Sequence, residues 1–539
     1  MAGSTIYHNT SAALTQYSGD WNEQVVRHLL KRTLFGASKK DIKYFVDRGF
    51  NETFNELLSK NFTEPSPPLK DYNPSAATAP DSNILNGETW VNDFLLDGTV
   101  ASLRRSSFKK WWVGLMINQD RNIREKMTLF WHNHFSTETI DVSIAQHVYK
   151  HHKLLRANAL GNFRQLVKSI TIDPAMLIYL NGQNNNKTAP DENYGRELQE
   201  LFVIGKGKNA AYTEDDVKAA ARVLTGWRNN NTKLESYFDL TRHDVTNKTF
   251  SSFYGNKIIS GVNSNNGGEI EIDNLIDLLL SQKEASLFIC RKLYTWFVYY
   301  NITPEIESSV IEPLAEIFRS NNFEILPVLN TLLKSKHFFD AMNQGCQIKN
   351  PVDLIIGLTR ELEIKFPSKD QVTTTYTLWN LLVGYLFNLQ QDIGDPPDVS
   401  GWKAYYQSPL FYGNWINTDT MPKRLQYSQN LIATGYTVNG FKMIVNAVDY
   451  IKNFKFPGEP NVLIDDISKH LLGIDISIEH KNQIKRDILL SGQMNDYYWT
   501  TAWETYLSTP GNTSNTNYVN NALINLLKYM INLPEYQLC

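Results

Sequence analysis

Apolar residues return every three or four positions along most of this chain, a spacing that admits little besides helices packed on helices. Val25, Val26, Leu29 and Leu30 open the pattern, and Ile42, Phe45 and Val46 continue it behind Ser38, whose hydroxyl suits a helix N-cap. Tyr194, Leu198, Leu201 and Phe202 form a later stripe led by Asp191 as cap. Val217, Ala220, Ala221 and Leu224 form another, entered through the capping box Thr213-Glu214-Asp215-Asp216 and stopped at Gly226-Trp227. Helical spacing also covers 141–157, 272–339 and 378–391, and restarts at Pro351. Residues 63–83 are rich in proline, serine and alanine and read as a surface loop. The run Gly394-Asp395-Pro396-Pro397-Asp398 lies outside any helix, because proline removes the amide donor a helix interior needs. Strand character is confined to 237–261, which predicts a small hairpin carrying His243 and Asp244.

The expected fold is therefore mainly α, a large multi-helix globular domain with a small β hairpin. The pattern divides it into an arm over 1–20, a helical domain over 21–435 and a helical C-terminal extension over 436–539 packed on the same unit. With 539 residues, 42% of them hydrophobic and 20% charged, the chain buries a sizeable core. A net charge of -3 without a basic run argues against nucleic acid as a partner. Cys290, Cys346 and Cys539 form no CxxC pair, so neither a disulfide framework nor a thiolate zinc site is expected. No apolar stretch approaches the length of a membrane span. The residues after Met1 lack the basic and apolar regions of a signal. A cytoplasmic location is expected if Met1 is the native start, and an exported one if a signal has been removed.

Chemistry concentrates in three stretches. The first is Phe130-Trp131-His132-Asn133-His134-Phe135-Ser136. On a helical wheel Ile123, Met127, Phe130, Trp131 and His134 share one stripe, and His132 points nearly the opposite way, toward Glu125. The two histidines meet at one ion only if the helix ends or distorts near Asn133. His147 and His151, one turn apart, flank Ile144, Val148 and Leu155 with His152 and read as core-edge histidines. The second stretch is Asp191-Glu192-Asn193-Tyr194-Gly195-Arg196-Glu197-Leu198-Gln199-Glu200. Glu192, Arg196 and Glu200 have the spacing of surface ion pairs, whereas Glu197 sits at the edge of the apolar stripe and reads as buried and functional. The third is Arg242-His243-Asp244.

Together these predict a metal site with His132, His134, Glu197 and His243 as ligands, a mixture of nitrogen and oxygen donors that suits zinc, iron or manganese. Glu197, Glu200 and Asp244 are the expected catalytic carboxylates, acting as general base or orienting a liganding histidine. Arg196 suits an anionic substrate group because its planar fork matches carboxylate or phosphate, and Asn193 and Trp402 are expected beside it. No nucleotide or flavin motif is present, which favours metal-assisted hydrolysis over redox chemistry. Two other readings fit the same residues. Trp402, Tyr405, Tyr406, Tyr412 and Trp415 suit an aromatic platform for a glycan or peptide, or simply core packing under the Pro-Pro turn. The polar residues also suit a buried network that fixes how the helices meet.

The motifs His132-Asn133-His134-Phe135, Asp173-Pro174-Ala175-Met176-Leu177, Glu192-Asn193-Tyr194-Gly195-Arg196-Glu197-Leu198, Tyr212-Thr213-Glu214-Asp215-Asp216-Val217, Leu224-Thr225-Gly226-Trp227, His243-Asp244, Pro396-Pro397-Asp398-Val399-Ser400-Gly401-Trp402 and Trp415-Ile416-Asn417 occur in this order. In that order the chain resembles the bacterial domain-of-unknown-function 1800 family from about residue 21 to 424, with a similar tail at Pro534-Glu535-Tyr536-Gln537-Leu538. The resemblance carries no reaction and so assigns no catalytic residue. It implies an exported protein encoded beside a sulfatase-like partner.

Overall fold

The structure, a computed structural model, describes residues 13–72, 81–207 and 209–539. Residues 1–12 of the expected arm and 73–80 of the expected loop lie outside the described residues. Helices dominate, and the strands among the described residues form three two-stranded antiparallel pairs. No helix among the described residues is long and apolar enough to cross a membrane.

The helices start where capping side chains allow. α1 (Glu23–Thr33) and α2 (Lys39–Leu57) begin at Asn22 and Ser38, whose side chains accept first-turn amide hydrogens. Next come α3 (Gly98–Ile117), α4 (Arg124–His134) and α5 (Ala145–Ala157). The helix expected over 141–157 is interrupted, with Ser143 at φ 61° ahead of a fresh start at Ala145. All residues of α4 are buried. A helix enclosed on every side has to satisfy its polar side chains within the protein, and this requirement shapes the site described below.

α6 (Glu192–Glu197), capped by Asp191, runs directly into a π-helical turn over Leu198–Val203. α7 (Glu214–Val223) lies close against α6 and opens with the expected capping box between Thr213 and Asp216. Gly195 permits that approach, since a Cβ there would stand 3.1 Å from the Ala221 amide nitrogen. The single hairpin expected over 237–261 is two hairpins. β1 (Trp227–Asn230) pairs with β2 (Glu235–Phe238), and β3 (Lys248–Thr249) with β4 (Ile258–Ile259). The first begins earlier than its sequence suggests because Gly226, at φ 94°, turns the chain straight out of the end of α7.

α8 (Gly267–Leu280), α9 (Pro351–Glu361) and α10 (Val372–Asn388) follow. α10 lies along α3, with Trp379 over Gly114, where a Cβ would stand 2.5 Å from the indole. α11 (Thr420–Ala433) leads to the pair β5 (Tyr436–Val438) and β6 (Phe441–Met443), and near the end α12 (Thr513–Asn532) packs on α11. The final residues turn back into the protein. The Tyr536 hydroxyl donates to buried Glu361 at 3.0 Å, and Arg424 donates to Gln537 at 3.3 Å. One apolar cluster runs through the molecule from Val25 to Tyr536.

Candidate functional site

From buried α4, His132 and Asn133 both reach the Gly401-Trp402 loop, whereas His134 reaches a different part of the chain. His132 packs edge-on against Trp112, ring centroids 5.0 Å apart, and faces Trp402 at 5.7 Å. Asn133 accepts the backbone N–H of Trp402 on its Oδ1 at 2.9 Å. Gly401, at φ 91°, lies so close that a Cβ would stand 2.4 Å from the same Oδ1. His134 turns to the other side, its ring among Phe130, Phe135, Phe163 and Phe202. Its Nε2 lies 2.9 Å from the Phe202 carbonyl in the π-helical turn. A carbonyl only accepts, so the proton of this bond sits on Nε2. The histidine motif thus joins the Gly401-Trp402 loop to the turn that follows α6.

Burial holds the His132 ring down to about 3 and the His134 ring well below its usual value, so both are neutral near pH 7. His132 Nε2 and His134 Nδ1 have no hydrogen-bond partner. α4 stays helical through His134, so the distortion that would bring the two imidazoles to one ion does not occur.

His243 is held elsewhere. Its Nδ1 bonds the Thr225 carbonyl at 2.9 Å and its Nε2 bonds Glu271 Oε1 at 2.9 Å. Both nitrogens are taken up by partners within the protein, so neither is free for a metal. Glu271 also takes Lys248 at 2.5 Å and the Val262 amide at 2.8 Å, in a cluster closed to solvent. Asp244, expected as a base, is bonded by Arg222 at 2.7 Å and by the Thr246 hydroxyl and amide. Although burial opposes it, these bonds bring the carboxyl down to about 2, too acidic for an efficient base near pH 7.

Glu197 is half-buried at the end of α6. Burial raises its carboxyl, and the nearby charges of Glu200 and Asp398 raise it further. Glu200 pairs with Lys206 at 2.7 Å and stands 3.8 Å from Arg196. Arg196 grips Glu214 at 2.6 Å and Glu192 at 3.2 Å, so an anionic substrate would have to displace carboxylates already in place. Asn193 is exposed and donates weakly to the Leu180 carbonyl at 3.4 Å. Among the described residues no group of three or more His, Cys, Asp or Glu side chains is arranged to hold a metal ion. The expected set His132, His134, Glu197 and His243 does not fit one, because its three histidines are held at separate places.

What the structure does gather is a cleft of about 370 Å³ beside the loop that Asn133 holds. Asp392, Asp395, Pro397, Trp402, Asn414 and Trp415 line it, with Phe387 on the rim at 63% exposure. Lys109 bridges Asp392 at 2.8 Å and Asp395. Asp395 also accepts the Thr139 amide at 2.5 Å and its hydroxyl at 3.1 Å, pinning the segment just after the histidine motif. Asp398 ties the loop to itself through the Ser400 amide and the Tyr406 hydroxyl. Glu138 bonds Tyr179 at 3.2 Å and is raised by burial and by Asp141, Asp395 and Asp398. Trp402, Tyr412 and Trp415 are buried and so form no open platform; their rings pack the core beneath the Pro-Pro turn.

Sequence reasoning missed Lys109, Glu138 and Asp392, which carry no local signature. It also missed the pairing of His151 with Asp173, 2.9 Å apart, although Asp173 stands in a motif and caps the short helix after it. No curated protein and no solved structure matches the chain. A family model described as "Protein of unknown function (DUF1800)" matches residues 28–538, nearly the whole chain, and the chain belongs to that family.

Proposed function

We propose that the protein is a binding protein whose ligand, a short saccharide, occupies the cleft beside the 394–417 loop. The observation that carries this reading is the loop's support: Asn133, Gly401, His132 and Asp395 all fix the wall of that one cleft. A wall held from behind by buried groups is preorganised for recognition. The lining suits sugars, since carboxylates and amides bond ring hydroxyls while Pro397 and the exposed Phe387 ring meet the C–H faces. The test is a glycan array with the full chain, followed by titration of Phe387→Ala. Loss of the exposed ring should weaken binding about tenfold. Retention of no glycan at all would overturn the reading.

One observation favours a second reading, an acid–base hydrolase. Glu197 is held up by burial and by neighbouring carboxylates, the direction of shift that suits a carboxyl to general acid catalysis. A sulfatase-like partner rests on the family resemblance and is testable by co-purification.

A further inference from the structure

A second cleft, of about 190 Å³, opens on another face, where residues 59–62, 120–122 and the first turn of α4 meet. Three arginines line it, and two have carboxylate partners. Arg121 pairs with Asp41 at 2.8 Å, and Arg156 with Glu125 at 2.7 Å and Glu64 at 3.9 Å. Arg124 has none within ion-pair distance among the described residues. Its Nη1 donates to the Arg156 carbonyl at 3.1 Å and its Nη2 to the Lys60 carbonyl at 3.1 Å and the Ser59 carbonyl at 3.4 Å. Its Nε has no partner, nor has Arg156 Nη1 a hydrogen bond. Both side chains are more than nine-tenths buried, Arg124 at 4% and Arg156 at 7% exposure. Burial, with Arg156 alongside, pushes the Arg124 guanidinium down to about 10, so it stays charged at neutral pH.

An enclosed guanidinium without a directly paired counter-ion is costly, and Glu125, Glu64 and Asp120 offset its charge only from beyond ion-pair distance. The other acidic lining residues are engaged or outside. Glu125 is bonded to Arg156 through Oε1, with Oε2 free of partners, Glu56 accepts the Tyr44 hydroxyl at 2.9 Å, and Asp120 is exposed on the rim. α4 presents its N-terminus here, and although Asn122 Oδ1 accepts the Arg124 amide at 2.8 Å, Ile123 adds no side-chain cap, so the positive end of the helix dipole adds to the arginines. Phe62 lies over the Arg124 guanidinium at 3.6 Å and closes one side.

We propose that this cleft is a binding site for a phosphate group, held by Arg124 and Arg156 against the N-terminus of α4. The site is separate from the saccharide cleft and does not depend on that reading. Guanidinium N–H groups beside a helix N-terminus give the charge-assisted donors that phosphate oxygens require. The space exceeds a bare ion, so either free phosphate or the head of a phosphate monoester fits.

The experiment is calorimetric titration of the full chain with inorganic phosphate, with glycerol phosphate, and with chloride at matched ionic strength. Phosphate should bind once per chain and chloride should not. Tighter binding of glycerol phosphate identifies an ester as the source; equal or weaker binding identifies the free ion. Arg124→Gln should abolish binding, but Arg124 also ties three carbonyls, so the decisive variant is Asn61→Asp. Asn61 is an exposed lining residue whose side chain makes no bond in the cleft wall, and a carboxylate there should weaken phosphate about fivefold by repulsion. No binding by the folded wild type, binding equal to that of chloride, or binding unchanged in Asn61→Asp would each overturn the proposal.

Discussion

Asn133 Oδ1 accepts the backbone N–H of Trp402 at 2.9 Å across 269 residues of chain, and the contact is possible only because residue 401 is glycine. Both groups are buried, so neither finds water if the other is removed. Asn133→Ala should therefore cost about 1–3 kcal/mol, the penalty for an orphaned buried amide. Gly401→Ala should cost at least as much, because it adds a left-handed φ to a clash. Urea unfolding gives the loss, and hydrogen exchange should show faster opening over 395–402 in both variants. A loop as protected as in the wild type would sink the assignment.

Glu271 stands between His243 and Lys248 with all three side chains closed to solvent. Glu271→Gln leaves a buried ammonium without its carboxylate and should cost about 3–5 kcal/mol. Lys248→Met together with Glu271→Gln removes both charges and should recover much of that loss. A double variant no better than the single would show that the cluster is not held by this ion pair.

How far all this could be read from the sequence follows from what each feature depends on. Caps, apolar stripes and the separation of His132 from His134 are local, set by residues within a turn or two, and Ser38, Asp191 and Thr213 act as expected. The partner of each motif is not local. Nothing in the spacing of Asn133 says that it meets Gly401-Trp402, and nothing near His243 names Glu271. Imidazole and carboxylate groups in aromatic sequence look the same whether they gather round an ion or each take one hydrogen bond at a helix joint. The π-helical turn that presents the Phe202 carbonyl to His134 has no residue signature either.

If the histidines serve joints, metal content should not follow them. Protein purified without a histidine tag should carry no stoichiometric zinc, iron or manganese by elemental analysis. His134→Ala should lower stability, through the lost bond to Phe202 and a cavity among phenylalanines, without changing the metal content. A stoichiometric metal in the wild type that disappears in His134→Ala would restore the metalloenzyme reading.

The buried histidines also set an acid limit. Burial brings His28 and His132 to about 3, and it puts His134, His152 and His470 well below the usual value. Each is neutral when folded but takes up a proton on unfolding below about pH 6.5. The unfolded state then binds more protons, so stability is full above that pH and falls as pH drops. The slope is about 1.4 kcal/mol per pH unit for each histidine. Carboxyls raised in the fold, among them Glu125, Glu138 and Glu197, act in the opposite direction as they titrate. The melting temperature should therefore fall steeply between about pH 6.5 and 5, and His152→Leu should flatten the fall by one histidine's share.

Glu197 separates the two functional readings most directly. Its carboxyl is raised by burial and by repulsion from Glu200 and Asp398, so its native pKa exceeds its unfolded one. Such a group favours the folded state when protonated and opposes it when ionised, so once ionised its charge is a liability that sets in as pH rises past the unfolded value of about 4. Glu197→Gln removes that charge at nearly constant shape. Because the residue is half exposed, the gain should be small, a few tenths of a kcal/mol at pH 7, and should vanish below about pH 4. Saccharide binding in the 394–417 cleft should survive the substitution. A hydrolase that uses Glu197 as its acid predicts instead a measurable turnover that Glu197→Gln abolishes. If unfolding curves show Glu197→Gln to be less stable than the wild type at pH 7, the carboxylate makes a favourable contact and the repulsion argument fails.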